Sequence, residues 1–312
     1  LINTVLKPQT NMCNRYYGFV FKSDGFADEY YRWGHGIVDD LWSTKWIDMK
    51  SIYIPAPDIT EQERIADYLD AKCSKIDEII EKQQLIIDSL IEYKKSFINE
   101  QIILNESGTK IRLKNLIVKV QSGLSAVSGA DNGIESGNYV LRTSAVSSGE
   151  YKNEEVKPVM TNCIDRLVCP LEDDILVISR MNTAKMVGYA AYIDKADENY
   201  YLPDKLWKVI VDREKAYTKY LWYAINSPVV HDQYASIATG TSDSMINISI
   251  SDFTNARISL PDIDTQKACV SMIDERVMHI ENQIAIKRKL IDKLQEYKKS
   301  LIYEVVTGKK EV

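Results

Sequence analysis

Residues 57–72 read PDITEQERIADYLDAK, and residues 261–276 read PDIDTQKACVSMIDER. The likeness does not stop there. Ile76, Ile80, Asp88 and Leu90 are answered by Ile280, Ile284, Asp292 and Leu294, and EYKKS at 92–96 returns at 296–300. Every pair is separated by the same offset, 57 against 261 and 92 against 296, with no gap. A gap-free period of this length marks two copies of one structural unit. In the first copy, apolar positions fall at Ile65, Leu69, Ile76, Ile80, Ile87, Leu90 and Phe97. From Ile76 onward, with Gln83 and Lys94 filling the gaps, the steps alternate four and three, which is a heptad seam. The second copy gives Cys269, Ile273, Val277, Ile280, Ile284, Ile291, Leu294, Leu301 and Val305, with Lys287 and Lys298 at the interruptions. Each copy therefore predicts a helix of roughly 40 residues, about 60 Å long at 1.5 Å per residue. Pro55, Pro57 and Pro261 stand at the starts, where a missing N–H costs nothing.

A helix of that length with one narrow apolar stripe needs a partner. The repeat favours antiparallel pairing of the two copies within one chain; the alternative is a coiled coil with a second chain. The packing residues are then Ile76, Ile80, Ile87, Leu90 and Phe97 against Ile280, Ile284, Ile291, Leu294 and Leu301.

Hydrophobic residues at 45% and charged residues at 27% describe a globular chain. No apolar run reaches the roughly 18 to 20 residues that span a bilayer, and no signal segment opens the chain, so no membrane partner is expected. The odd count of five cysteines, with no CxxC pair, fits reduced thiols in a cytoplasmic protein. His35, His231 and His279 are scattered, so no metal site is expected. The net charge of −6 excludes a chain coated in nucleic acid but leaves room for a local basic face.

Between the helices, residues 105–110 form a polar linker and residues 111–260 read as mixed α/β. Strand candidates are Ile111–Val120, Tyr139–Thr143, Asp174–Ser179, Val187–Ile193 and Leu206–Val211, with helices over Thr218–Asn226 and Val229–Ala238. Residues 1–54 match the end of that segment under the same offset. Tyr16, Tyr30, Gly36 and Asp48 fall on Tyr220, Tyr234, Gly240 and Asp252. A complete first copy would need about 94 residues ahead of Leu1. The expected organisation is a domain remnant over 1–56, a helix over 57–104, the linker, a complete domain over 111–260, a helix over 261–306 and a tail over 307–312. The fold class is α/β (α+β), with globular domains linked by two long antiparallel helices.

This order of domain and helix, repeated, resembles the specificity subunit of type I restriction-modification systems. The helix starts quoted above carry most of the likeness, and SLIYEVVTGK at 300–309 resembles the family's usual helix ending. Within 111–260, four pieces resemble a target recognition domain: VQSG at 120–123, YVLRTSAV at 139–146, DDILVISRMNTAKMVG at 173–188 and ATGTSDSMINIS at 238–249. The departure is the truncated first recognition domain. The resemblance implies that each recognition domain reads one half of a split double-stranded DNA target. It implies that the helix pair is the ruler between halves and docks the methyltransferase subunits. A restriction and translocation subunit joins through the complex. S-adenosylmethionine, ATP and magnesium belong to those partners, and truncated subunits pair with one another to restore a two-domain reader. An assembly scaffold that has lost specific recognition is the alternative.

Base reading needs Arg, Asn, Gln, Ser or Thr on loops that enter a groove, and phosphate contact needs Lys and Arg. The candidates are Lys119, Gln121, Ser122 and Gly123; Arg142, Thr143 and Ser144; Arg180, Asn182, Thr183 and Lys185; and Gly240, Thr241 and Ser242. Each has a plainer reading. Arg180 pairs with Asp173 or Asp174; Gly123 and Gly240 only permit tight turns; Arg142 is a surface charge. Lys110, Arg112, Lys114 and Lys119, in a stretch with no acid until Asp131, are either a phosphate track or a solvated strand face, and Trp207, Tyr200 and Tyr201 are core aromatics.

No catalytic role is expected for the chain alone. It has no GxxxxGK[ST] phosphate loop and no Asn-Pro-Pro-Tyr type motif. Asp58, Glu92 and Lys94 imitate a nuclease signature, and Asp262, Glu296 and Lys298 repeat it. About 30 intervening helical residues span roughly 45 Å, too far for one metal.

Overall fold

A computed structural model describes residues 6–7, 9–36, 42–104, 109–124, 134–183, 186–237, 239–240 and 246–312. The chain divides into two compact units, one of Leu1–Glu92 with Ile280–Val312 and one of Tyr93–His279.

The first unit begins with α1 (Asn14–Lys22) and α2 (Asp24–Arg32). Ser23 separates them by accepting a hydrogen bond from the Phe26 N–H, an N-cap that restarts the helix in a new direction. A short α3 (Trp46–Met49) and then α4 (Ile59–Leu104) follow. Tyr16, Tyr17 and Val20 of α1 bury against Ile65, Ala66, Leu69, Cys73 and Ile76 of α4 and against Leu301, Ile302, Val305 and Val306.

In the second unit the chain runs through β1 (Thr109–Arg112), β2 (Ile117–Ser122), β3 (Glu135–Leu141), β4 (Val156–Met160), β5 (Ile175–Ser179) and β6 (Met181–Asn182). Then come β7 (Ala190–Ile193), β8 (Tyr200–Tyr201), β9 (Leu206–Val211), α5 (Thr218–Ile225), α6 (Pro228–Ile237), β10 (Thr239–Gly240), β11 (Ile246–Asn247), α7 (Ile250–Asn255), β12 (Arg257–Leu260) and α8 (Ile263–Val306). The central sheet is antiparallel in the order β2-β9-β5-β7. β5 shows why its sequence is apolar throughout. Leu176 and Ile178 enter the cluster that includes Tyr220, Leu221 and Tyr234 of the helices, while Ile175 and Val177 enter a second cluster with Leu141, Cys169 and Leu202. A strand with both faces covered has no polar side to show.

The Val/Ile-rich run 111–120 reads as one strand, yet the chain turns inside it. Residues Leu113–Asn115 form a 3-10 turn. Leu113 and Leu116, three apart and both fully buried, are brought to one side by that turn. The Leu113 N–H donates to the Ala256 carbonyl, and the Asp212 N–H donates to the Leu116 carbonyl. The next strand starts earlier than Tyr139 and ends at Leu141, because Thr143–Ala145 is also a 3-10 turn. Val187 lies outside β7 because Gly188, at φ +84°, turns the chain against the Tyr234 ring.

Within the first unit the long helices pair antiparallel. Asp77 meets Lys298 at 2.6 Å and Gln83 meets Lys287 at 3.1 Å, so numbers rise on one helix as they fall on the other. Ile87, Ile280 and Ile284 are buried between them, with Leu90, Ile91 and Ile291 at the edge. Ile80 and Leu294 pack beside Ile76 and Leu301 in the cluster under α1. Within the second unit, Phe97 packs against the main core, and Arg276 donates to the Tyr93 hydroxyl at 2.8 Å.

The sequence repeat is also a repeat of hydrogen bonds. In the first unit, Gln62 accepts from the Cys13 N–H at 2.9 Å and donates to the Pro57 carbonyl at 2.7 Å. In the second, Gln266 accepts from the Tyr217 N–H at 2.8 Å and donates to the Pro261 carbonyl at 2.8 Å. The hydroxyls of Tyr16 and Tyr220 donate to the carbonyls of Pro55 and Ser259. Burial pushes the Tyr16 phenol up to about 12 and the Tyr220 phenol up as well. Both glutamines are buried, so each stitches a helix start to the helix packed on it without an unpaired polar atom.

Candidate nucleic-acid interface

Three of the polar loop segments converge in the second unit. Ser122, the last residue of β2, donates from its hydroxyl to the Asp204 carbonyl at 3.2 Å. Arg180, just past β5, reaches the same carbonyl at 3.5 Å through Nη1, and its backbone N–H donates to Lys205. Its guanidinium carbon lies 5.7 Å from the centre of the Trp207 ring. Gly123 explains how the segments come so close. A Cβ there would stand 1.6 Å from the Leu202 carbonyl oxygen. The glycine serves backbone approach rather than a left-handed turn.

Asn182 belongs to the same region through β6. Met181–Asn182 pairs with Ile246–Asn247, which in turn pairs with Thr239–Gly240. The Asn182 side chain accepts from the Thr183 N–H at 2.9 Å and donates to Ser179 at 3.3 Å. Thr183 is exposed beside it, and Gln121 is half-buried on β2 opposite Lys208. Lys119 is exposed on β2 next to a register shift between Ile117 and Lys119. Lys185, Thr241 and Ser242 lie outside the described residues.

Arg142, Thr143 and Ser144 sit on the 3-10 turn after β3, in the part of the unit built on the sheet β4-β3-β8. Ser144 donates to Glu155 at 2.7 Å and the Arg142 N–H donates to the Glu155 carbonyl at 2.9 Å, while the Arg142 side chain is exposed. The structure therefore gathers Ser122, Gly123, Arg180, Asn182 and Gly240, and places Arg142–Ser144 on a different sheet.

The carboxylates that would neutralise Arg180 are engaged elsewhere. Asp174 pairs with Arg213 at 2.7 Å, and Asp173 accepts from the Ala196 N–H at 2.7 Å. Among the described residues, the buried Nε of Arg180, Nε1 of Trp207 and Oδ1 of Asn247 have no hydrogen-bond partner. Buried polar atoms left open cost stability, and the buried Thr218 Oγ1 and His231 Nε2 on α5 and α6 are open as well. Trp207 is a core aromatic, only 2% exposed, as the plainer reading has it, yet its indole N–H is unspent. Asn247 lies inside the 238–249 stretch without a signal of its own, and the Asp204 turn has none, because both matter through backbone neighbours.

The nuclease-like triplets dissolve into helix capping. Asp58 accepts from the Glu61 N–H, and Asp262 accepts from Thr265, whose hydrogen bonds lower the Asp262 carboxyl below its usual range. Lys298 is spent on Asp77.

Residues 110–296 match the family model described as the type I restriction modification DNA specificity domain. The chain belongs to that family. This specificity-family chain is 26% identical over 280 residues to the MjaVIII specificity subunit of Methanocaldococcus jannaschii, covering 83% of the chain and 62% of that relative. It is 26% identical over 136 residues to the EcoEI specificity subunit of Escherichia coli, covering 44% of the chain and 23% of that relative. It thus spans less than two thirds of these curated relatives. Two solved structures share the fold. One belongs to work on complex assembly and conformational transition of the type I R-M system, with a TM-score of 0.69 and 14% identity over 93% of this chain and 70% of that one. The other is the HsdS subunit from Thermoanaerobacter tengcongensis, with a TM-score of 0.53 and 15% identity over 96% and 71%. Among the described residues, no helix of the specificity-family chain is long and apolar enough to cross a membrane.

Proposed function

We propose that this chain is a non-catalytic, DNA-recognising subunit of a type I restriction-modification complex, and that its second unit reads one part of a bipartite duplex target. The observation that carries the reading is the convergence of Ser122, Gly123, Arg180, Asn182 and Gly240 in a region with unspent polar atoms, inside a stretch matched by the specificity-domain family. Groups of this kind suit base edges and phosphates in a groove. The antiparallel helix pair would set the spacing between half-targets and dock methyltransferase subunits. A restriction and translocation subunit would join through them, and S-adenosylmethionine, ATP and magnesium would be used by those partners in the cytoplasm. The test is filter binding of the chain with its methyltransferase partner at two salt concentrations against random competitor DNA. Specific retention is expected; retention no better than random DNA sinks the reading. Labelled methyl transfer by the purified chain alone would refute the non-catalytic assignment.

One observation favours a second reading, in which residues 1–56 serve assembly rather than base reading. Tyr30 is 37% exposed, whereas Tyr234, its counterpart in the repeat, is fully buried under the central sheet. Tyr31, Trp33, Trp42 and Trp46 are exposed nearby. Such a chain acts as an assembly scaffold, or pairs with a second copy. Light scattering that finds strictly one copy per complex counts against the pairing.

A further inference from the structure

The two-stranded ribbon of β1 and β12 lies outside the gathered loops and has a chemistry of its own. Its register places Ile111 opposite Ile258, Lys110 opposite Ser259 and Arg112 opposite Arg257. Ile111 and Ile258 turn into the core, so the period of two sends Lys110, Arg112 and Arg257 to the outer face. All three are exposed, and Lys114 follows in the next turn, exposed as well. Lys110 and Arg112 are two residues apart on one strand, about 6.7 Å.

Arginines directly opposite each other in a ladder repel and destabilise the pairing. Among the described residues, none of the four cations has an ion pair. The sequence offers no acid between residues 109 and 130 or between 253 and 261, in a chain whose net charge is −6. The ribbon is also fixed in place. Gln233 of α6 accepts from the Arg257 N–H at 2.9 Å and donates to the Arg257 carbonyl at 3.0 Å, which pins β12 to the helix. A rigid strand pair with its cations uncompensated is a surface held ready for an anion of repeated charge.

We propose that the outer face of the β1–β12 ribbon, through Lys110, Arg112, Lys114 and Arg257, contacts the phosphate backbone of duplex DNA and contributes affinity without sequence preference. The proposal rests on the reading of the second unit as a DNA-recognition domain. It assigns the ribbon to positioning the duplex, separately from the Arg180 and Asn182 region that would read bases. Each phosphate neutralised contributes about 0.9 to the slope of log affinity against log salt.

The test uses the full chain and a non-specific 30-base-pair duplex, titrated between low and moderate salt. Replacing all four cations by glutamine is expected to flatten the slope by about 2 to 4 and to weaken low-salt binding by about 10- to 1,000-fold. The Arg112→Lys, Arg257→Lys variant, which keeps the charge, is expected to hold the wild-type slope. Thermal unfolding of each variant confirms that the exposed substitutions leave the fold intact, and Lys110→Gln alone provides a milder probe that should flatten the slope by up to about 0.9. Wild-type binding with an unchanged slope in the four-fold variant overturns the ribbon assignment while leaving the recognition function standing. Failure of the wild-type chain to bind any duplex, both alone and with its methyltransferase partner, removes the recognition function itself. Unchanged DNA binding with lost assembly of the methyltransferase partner shows that the ribbon faces a protein, and likewise overturns the proposal.

Discussion

Gln83 and Lys287 occupy the same position in the two repeats, and they meet each other. Lys287 donates to Gln83 Oε1 at 3.1 Å, between residues 204 apart. The local two-fold relation of the helix pair in the first unit passes through this contact. Replacing Gln83 by Lys sets two ammonium groups against each other there. The lost charge-assisted hydrogen bond is worth about 1.5 kcal/mol. Repulsion at about 4 Å adds roughly 1 kcal/mol if water screens it fully and about 4 kcal/mol at an effective dielectric of 20. The two contributions bracket about 2.5–5.5 kcal/mol, and because both side chains are only half-buried the screened end, about 2.5–4 kcal/mol, is expected. The assay is amide hydrogen exchange over 76–92 and 280–301, which reads local opening. Exchange should quicken by roughly 60- to 700-fold, since 1.4 kcal/mol is tenfold. Lys287→Gln leaves two amides that still bond and should cost under about 1 kcal/mol. The decisive variant carries both Gln83→Lys and Lys287→Gln. It rebuilds the pair in the opposite sense and should return protection to within about tenfold of wild type. A double variant no better than the sum of the singles would show that the two positions do not couple, and the two-fold argument would fall.

Gly123→Ala should cost about 2–4 kcal/mol and lower the melting temperature, because its Cβ meets the Leu202 and Pro203 carbonyl groups rather than a yielding side-chain tip; an unchanged melting curve would contradict the close approach. Gln266→Ala leaves the Tyr217 N–H and the Pro261 carbonyl without their partner and should cost about 2–4 kcal/mol. Gln62→Ala should cost a similar amount at the matching place, and limited proteolysis near each helix start would show it. Burial holds the His231 imidazole down at about 4, beside the Tyr189 ring at 4.0 Å. Its folded value lies below the unfolded value of about 6.5, so the stability it contributes is complete above that pH and drains away as pH falls from about 6.5 toward about 4. His231→Phe should flatten that part of the stability profile measured by denaturant unfolding.

The repeat was legible because it is a pattern of residues, and the heptad seam within it because helix periodicity follows from local geometry. Leu206–Val211 was likewise legible, since β9 is covered on both faces and that burial imposes a run of apolar, β-branched and aromatic residues. The break at Leu113–Asn115 was not, because Val, Ile and Leu suit a strand and a buried turn equally well. β6, β10 and β11 hold two residues each and exist only as one another's partners. The plainer reading of Arg180 as the partner of Asp173 or Asp174 followed from nearness in sequence, and it gave way because Arg213 and the Ala196 N–H occupy those carboxylates.

What the amino-acid order determined by itself is periodic and local: two long helices, their seam, and the repeated Pro-Asp and Gln signals at the helix starts. Local sterics and side-chain spacing are enough to specify such features. What only the tertiary structure decided is which distant groups meet: Ser122 with Arg180 at Asp204, Arg112 with Arg257 across a ladder, and Gln83 with Lys287 at the centre of the repeat. Those meetings depend on sheet register and helix pairing, which come from burial summed over the whole core and are encoded at no single position.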